Sequence, residues 1–171
     1  KTNLDIPVYN KDLPSLELNF INNEEQACPH ISFLNIEIKD NICEYKDYLK
    51  NYFEDFKLNR NNFFTDISNY VAYEMGQPTH CYDFPVIGDD ITLRIKKNEA
   101  KFTSLLNNKI DLNGQDLVFT SNENIINLSG IMGGLESSCT KDTTNALVEC
   151  AYFKPESIIG KALKYNLHSD A

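Results

Sequence analysis

Apolar and polar positions change period several times along the chain, and each change marks an element. Across Glu44–Phe56, Tyr45, Tyr48, Leu49, Tyr52, Phe53 and Phe56 recur at i, i+3, i+4, i+7, i+8 and i+11. That continuous stripe predicts a helix whose aromatic face packs into a core rather than stacking on bases. Ile67, Tyr70 and Val71 share one face of a second helix over Asp66–Met75, with Thr65 or Asp66 as its cap and Gly76, ahead of Pro78, as its stop. A third helix is expected over Pro155–His168, with Pro155 in the first turn and Ile158, Ile159, Ala162, Leu163 and Leu167 as its buried stripe.

Between the helices the pattern shortens to strands. Ile31–Ile38 is β-branched and aromatic, with a break in alternation at Phe33–Leu34 that suggests a bulge. Ile91–Ile95 alternates as a half-buried strand, and Leu117–Phe119, Ile125–Leu128 and Ala146–Cys150 are short apolar runs. A further strand is expected near Leu16–Phe20. Asn107-Asn108 and Asn113-Gly114 are turn signals of the kind that punctuate a β meander. Strands dominate the middle and helices flank them, which predicts an α+β fold with mixed, mostly antiparallel sheets in a sandwich-like centre and about three helices around it.

Composition narrows the function classes. The chain has 171 residues, 42% of them hydrophobic, enough to bury a core. No apolar run is long enough to span a bilayer and Lys1–Asn10 lacks a signal-peptide core, so a soluble cytoplasmic protein without a membrane partner is expected. Five scattered cysteines without a CxxC pair indicate neither a disulfide framework nor a zinc ribbon. A net charge of −9 is the wrong sign for gripping a long nucleic acid through its phosphates.

Three segments depart from scaffold composition. Asp66–Asp83 (DISNYVAYEMGQPTHCYD) brings Ser68 and Asn69 on the second helix and His80 after the Gly76-Gln77-Pro78 stop, on an expected loop. Gly130–Gly134 (GIMGG) carries three glycines in five residues, which permit close backbone approach and can offer N–H groups to an anion. It matches neither GxGxxG nor a P-loop, which argues against nucleotide binding. Thr143–Pro155 (TTNALVECAYFKP) puts Glu149 among apolar neighbours at a strand end. Each segment alone fits a bland reading: a surface or core histidine, a tight turn, a solvent-facing glutamate.

Together with Leu167–Ala171 (LHSDA), and with Cys28-Pro29 ahead of the first long strand, these segments resemble in order and spacing the B3/B4 region of bacterial phenylalanyl-tRNA synthetase β subunits, over roughly residues 28–171. The resemblance implies a lead-in over residues 1–27, an editing domain over 28–171, and a fragment of a longer β subunit cut after Ala171. It implies hydrolysis of tyrosine mischarged onto tRNA(Phe), with His80 holding the ester and the attacking water and Glu149 recognising the tyrosine phenol. Ser68 and Asn69, Gly130 and Gly133, and Ser169 and Ala171 match positions that line or shape the family's pocket. The implied partners are the 3′ end of tRNA(Phe) and the α subunit of an α2β2 enzyme. No cofactor is implied for this domain, while ATP and Mg2+ serve the full synthetase. Ser68 and Ser169 stand where the family pattern has threonine, a loss of one methyl each that loosens the pocket, and Phe63-Phe64 replaces a valine-rich lead into the helix.

The chemistry suits such residues. An apolar pocket rejects an added hydroxyl by only about 10²-fold, so a second site that demands the hydroxyl is the better filter. A buried Glu149 would accept from the tyrosine phenol, and phenylalanine would leave it unpaired at a cost of about 1–3 kcal/mol. The ester is reactive, so orienting a water and stabilising the oxyanion can do most of the work. His80 acts as general base or as water positioner, and positioning is favoured because no carboxylate partner for a His80 dyad is evident. Of the rivals, a non-catalytic module of the same fold could hold a tRNA end or a partner subunit. A metallohydrolase built on His30, His80 and His168 lacks close ligand spacing or HExxH, and a serine or cysteine esterase lacks a GxSxG elbow. Lys154, Lys161 and Lys164 lie near the third helix; a face toward a tRNA acceptor end is one reading, and a solvated face is the expected one.

Overall fold

The computed structural model describes residues 14–40, 42 and 44–167. Its strands are β1 (Asn19–Asn22), β2 (His30–Glu37), β3 (His80–Asp83), β4 (Asp90–Lys96), β5 (Ala100–Thr103), β6 (Lys109–Leu112), β7 (Asp116–Ser121), β8 (Asn124–Leu128), β9 (Met132–Gly133) and β10 (Asn145–Tyr152). They form a five-stranded sheet in the order β1-β4-β7-β8-β9, a three-stranded sheet β2-β10-β3 and the hairpin β5-β6. The β1/β4 pair is parallel and the others are antiparallel, as the mixed pattern predicts.

The two larger sheets pack face to face. Tyr82 and Leu147 of the small sheet join Ile91, Leu93, Phe119 and Ile126 of the large one in a single buried cluster. Period two then sends the alternate residues Cys81 and Ala146 to the other face of the small sheet, against Phe64 of helix α2 (Phe63–Met75). Helix α1 (Asp47–Asp55) packs outside α2 through Leu49 and Phe53. The opposite face of the large sheet is covered by Phe102, Ile110 and Leu112 of β5-β6 and by Leu167. Covered from both sides, β7 is buried at all six positions.

Several expectations are corrected. The α1 stripe is only partly core: Tyr45, Leu49 and Phe53 are buried, whereas Tyr48 and Phe56 are 59% and 64% exposed. Asn62, not Thr65 or Asp66, caps α2 by accepting from the Thr65 N–H at 3.0 Å, and Asp66 instead accepts from the Asn61 N–H and the Tyr45 hydroxyl. Gly76 ends the helix in the left-handed conformation, at φ 69°. The bulge expected at Phe33–Leu34 is absent, since β2 and β10 stay in unbroken register; the shift lies at Phe119/Thr120 in β7. β6 and β7 belong to different sheets, so Asn113-Gly114 is a crossing rather than a meander turn. The third helix splits into the single turns α4 (Pro155–Ile158) and α5 (Lys161–Lys164), because Gly160 at φ 76° cannot continue a helix. Ile159 and Leu163 are consequently exposed, at 77% and 79%. One further turn, α3 (Phe84–Ile87), joins β3 to β4.

Candidate functional site

Residues far apart in sequence meet where the small sheet faces the β8–β9 end of the large one. In the β3/β10 ladder His80 pairs directly with Glu149, so both side chains leave the same face. His80 is thus on a strand, not the loop its sequence context suggested. Opposite it lies the glycine segment. A Cβ on Gly133 would stand 2.2 Å from His80 Cε1 and 2.7 Å from Nε2, so the imidazole packs where only glycine fits. Gly130 has φ 69°, and a Cβ there would stand 3.0 Å from the Phe153 ring and from Ile158 Cγ2.

These residues line one cleft of about 270 Å3, with Thr79, Asn127 and Met132 completing its floor and walls. That is slightly below the ~300–1,000 Å3 usual for small-molecule sites and suits an amino-acid side chain. A larger cavity of about 660 Å3 lies beside α1, lined mainly by charged chains such as Lys50, Glu54 and Arg60.

The cleft is polar at its base. Glu149 is 5% exposed and its Oε2 accepts from the Tyr82 hydroxyl at 2.5 Å; that hydroxyl in turn accepts from Asn127 Nδ2 at 2.8 Å. Burial raises the Glu149 carboxyl from its ordinary 4.5 to about 7, against the Tyr82 bond, which lowers it. Burial also lowers His80 from 6.5 to about 4, so the imidazole is neutral at pH 7. The ring is half-buried overall, yet its Nε2 is sealed and without a hydrogen-bond partner, as is Asn127 Oδ1. Two buried polar atoms without partners thus lie beside one carboxylate at the base of the cleft.

The remaining expected site residues are placed differently. Ser68 is buried one layer behind the cleft, bonded at 2.8 Å to both the carbonyl and the hydroxyl of Thr79, so it braces the wall without lining it. Asn69 projects from the exposed face of α2 and does not line the cleft, because it lies about a third of a turn away from Ser68. Ser169 and Ala171, like His168, lie outside the described residues. Glu149 lies within β10, not at its end. The Ile131 and Gly134 N–H groups of the glycine segment already bond to the carbonyls of Leu128 and Ile126, which removes two donors for an oxyanion. Among the described residues no three His, Cys, Asp or Glu side chains converge as metal ligands, and no helix is long and apolar enough to cross a membrane.

The B3/4 domain model matches residues 27–171. The chain belongs to the B3/4 domain family. A β subunit of phenylalanine–tRNA ligase from Psychrobacter arcticus is 33% identical over 164 residues, which is 96% of this chain and 20% of that protein. The corresponding Francisella tularensis subunit is 41% identical over 110 residues, 64% of this chain and 14% of that protein. This B3/4 domain therefore spans about a fifth or less of the length of these relatives. An N-terminal fragment of the phenylalanyl-tRNA synthetase β subunit from Pyrococcus horikoshii shares the fold at TM-score 0.55 and 14% identity, over 85% of this chain and 47% of that one.

Sequence reasoning missed two residues of the B3/4 site, Asn127 in the cleft lining and Tyr82 buried beneath it. Period two on a strand starting at His80 would have put Tyr82 on the same face, but the segment reads as a loop. Asn127 interrupts the apolar run Ile125–Leu128, which is its one local signal.

Proposed function

We propose that this B3/4 domain works within the β subunit of a phenylalanine–tRNA ligase and hydrolyses tyrosine mischarged onto tRNA(Phe). The observation that carries the reading is the pairing of His80 with Glu149 across β3 and β10, inside a cleft that Gly130 and Gly133 keep open. A tyrosyl side chain entering this cleft meets a buried carboxylate with an oxygen to spare. The phenol donates to it; a phenyl ring cannot, and that difference is worth about 1–3 kcal/mol.

Hydrolysis adds a water oxygen to the ester carbonyl carbon and breaks the bond to the tRNA ribose oxygen, releasing tyrosine and tRNA. A histidine lowered to about 4 is a weak base at neutral pH, so His80 accepts a hydrogen bond from the water and aims it rather than taking its proton outright. In this reading the ligand is the 3′ end of tRNA(Phe), and the net charge of −9 leaves the grip on tRNA to the rest of an α2β2 enzyme. ATP and Mg2+ serve aminoacylation elsewhere in that cytoplasmic assembly, and the editing step draws on neither.

The test is deacylation of tyrosyl-tRNA(Phe) and phenylalanyl-tRNA(Phe) by the intact enzyme carrying this chain. His80→Ala lowers the tyrosyl rate by about 10²-fold. Glu149→Ala loses the preference for tyrosyl over phenylalanyl ester. Unchanged rates and preference in both variants would overturn the assignment, and a wild-type enzyme that protects tyrosyl-tRNA would favour a binding module without chemistry.

A further inference from the structure

The buried chain Asn127–Tyr82–Glu149 is not accounted for by a pocket that needs only a carboxylate. Tyr82 is fully buried beneath the cleft and does not line it, yet its hydroxyl is committed at both ends: it accepts from Asn127 Nδ2 and donates to Glu149 Oε2. Its ring is fixed edge-on to His80, with centroids 4.5 Å apart. Among the described residues Oε1 of Glu149 receives no hydrogen bond, and Glu149 lines the cleft.

We propose that Tyr82 is a positioning residue for phenol selection: an internal phenol that occupies Oε2 of Glu149, fixes the carboxylate rotamer, and leaves Oε1 as the single acceptor for a substrate phenol. The inference rests on the function proposed above. A buried carboxylate free to rotate would offer either oxygen in several directions and would lose part of the discrimination to disorder. With Oε2 tied down, one oxygen points one way. Asn127 completes the device, because its donated hydrogen bond leaves the Tyr82 proton directed at the carboxylate.

Charge supports the same arrangement. The titratable groups around Glu149 are His80 and Tyr82 on its own face, with Cys28 and Cys81 nearby. At pH 7 none of these is charged: His80 is lowered to about 4, Cys28 and Cys81 are raised to about 11 and 12, and Tyr82 is raised well above its ordinary value, each first by burial. Among the described residues no lysine or arginine lines the cleft. The Tyr82 hydrogen bond is therefore what favours the ionised, phenol-accepting form of Glu149 against burial.

The experiment compares wild type with Tyr82→Phe in the intact enzyme, measuring kcat/KM for deacylation of tyrosyl- and phenylalanyl-tRNA(Phe) from pH 5.5 to 8.5. Loss of one hydroxyl is expected to lower the tyrosyl-to-phenylalanyl ratio at pH 7 about tenfold. It also moves the midpoint of the tyrosyl pH profile upward, because the carboxylate loses its stabilising donor. A purely structural role would lower the melting temperature and leave ratio and midpoint in place, and that result overturns the inference. A higher ratio in Tyr82→Phe also overturns it, since Tyr82 would then be a competitor of the substrate. Should that variant not fold, Asn127→Ser is expected to move ratio and midpoint in the same directions by less, and no movement there counts against the proposal. A wild-type enzyme inactive on tyrosyl-tRNA fails the proposed function instead. The inference is then read from Glu149 carboxyl NMR, where an identical titration in wild type and Tyr82→Phe overturns it.

Discussion

Two neighbouring side chains titrate in opposite senses because the same burial penalises opposite charges. Glu149 has a folded pKa of about 7, above its ordinary 4.5, so it stabilises the fold fully below pH 4.5 and that contribution is lost as pH rises through 7. His80 has a folded pKa of about 4, below its ordinary 6.5, so its contribution is present above 6.5 and lost as pH falls through 4. Between about 4.5 and 6.5 the two oppose one another. Glu149→Gln removes one of them. The stability of that variant relative to wild type should grow with pH from about 4.5 to about 7, at no more than roughly 1.4 kcal/mol per pH unit, and level off beyond. Denaturant unfolding at a series of pH values reads this directly; a difference that stays flat across the window would mean the carboxyl is not buried as described. At this scale the sequence was informative about which residues matter and poor about their surroundings. Glu149 among apolar neighbours and three glycines in five residues were legible as oddities. The commitment of Glu149 to Tyr82 was not, because an internal phenol and a ligand phenol satisfy the same acceptor.

At the level of elements, strand and helix patterns carried most of the fold, and failures trace to particular residues. α2 was readable because an apolar face ends at Gly76. The third helix was not, since Ile158, Ala162 and Leu167 keep helical spacing across a glycine that breaks the backbone. What holds these last turns is a charge pair. Asp116, fully buried at the start of β7, accepts from Lys164 Nζ at 3.1 Å and the Tyr165 hydroxyl at 2.6 Å, with Lys161 Nζ at 3.7 Å. Lys161 and Lys164 therefore clamp α5 to the large sheet and are not the free solvated face their spacing suggested. The clamp also anchors the segment whose Ile158 closes the cleft over Gly130. Asp116→Asn should cost about 1–3 kcal/mol in denaturant unfolding and speed tryptic cleavage after Lys161 and Lys164. Unaltered cleavage would show that packing through Leu167 is sufficient.

For the whole molecule, the sandwich explains why site residues scattered from 77 to 158 share one cleft. Facing sheets bring the ends of β3, β9 and β10 together, and β7 beneath them contributes no residue to the cleft lining. No pattern in sequence specifies which strands from the two sheets will oppose; that follows from the crossovers β1–β4 and β2–β10, which join segments some 70 and 115 residues apart. β7 itself is enclosed by β4 and β8 at its edges and by hydrophobic clusters on both faces. Opening it requires parting it from β4 and β8 and uncovering both clusters. In deuterated solvent its amide protons should therefore be the slowest in the chain to be replaced, and their rate would report global unfolding, whereas amides of the solvent-facing turn α5 exchange by local fraying. Mass-resolved exchange that found β7 and α5 equally labile would place the molecule's last-surviving structure elsewhere.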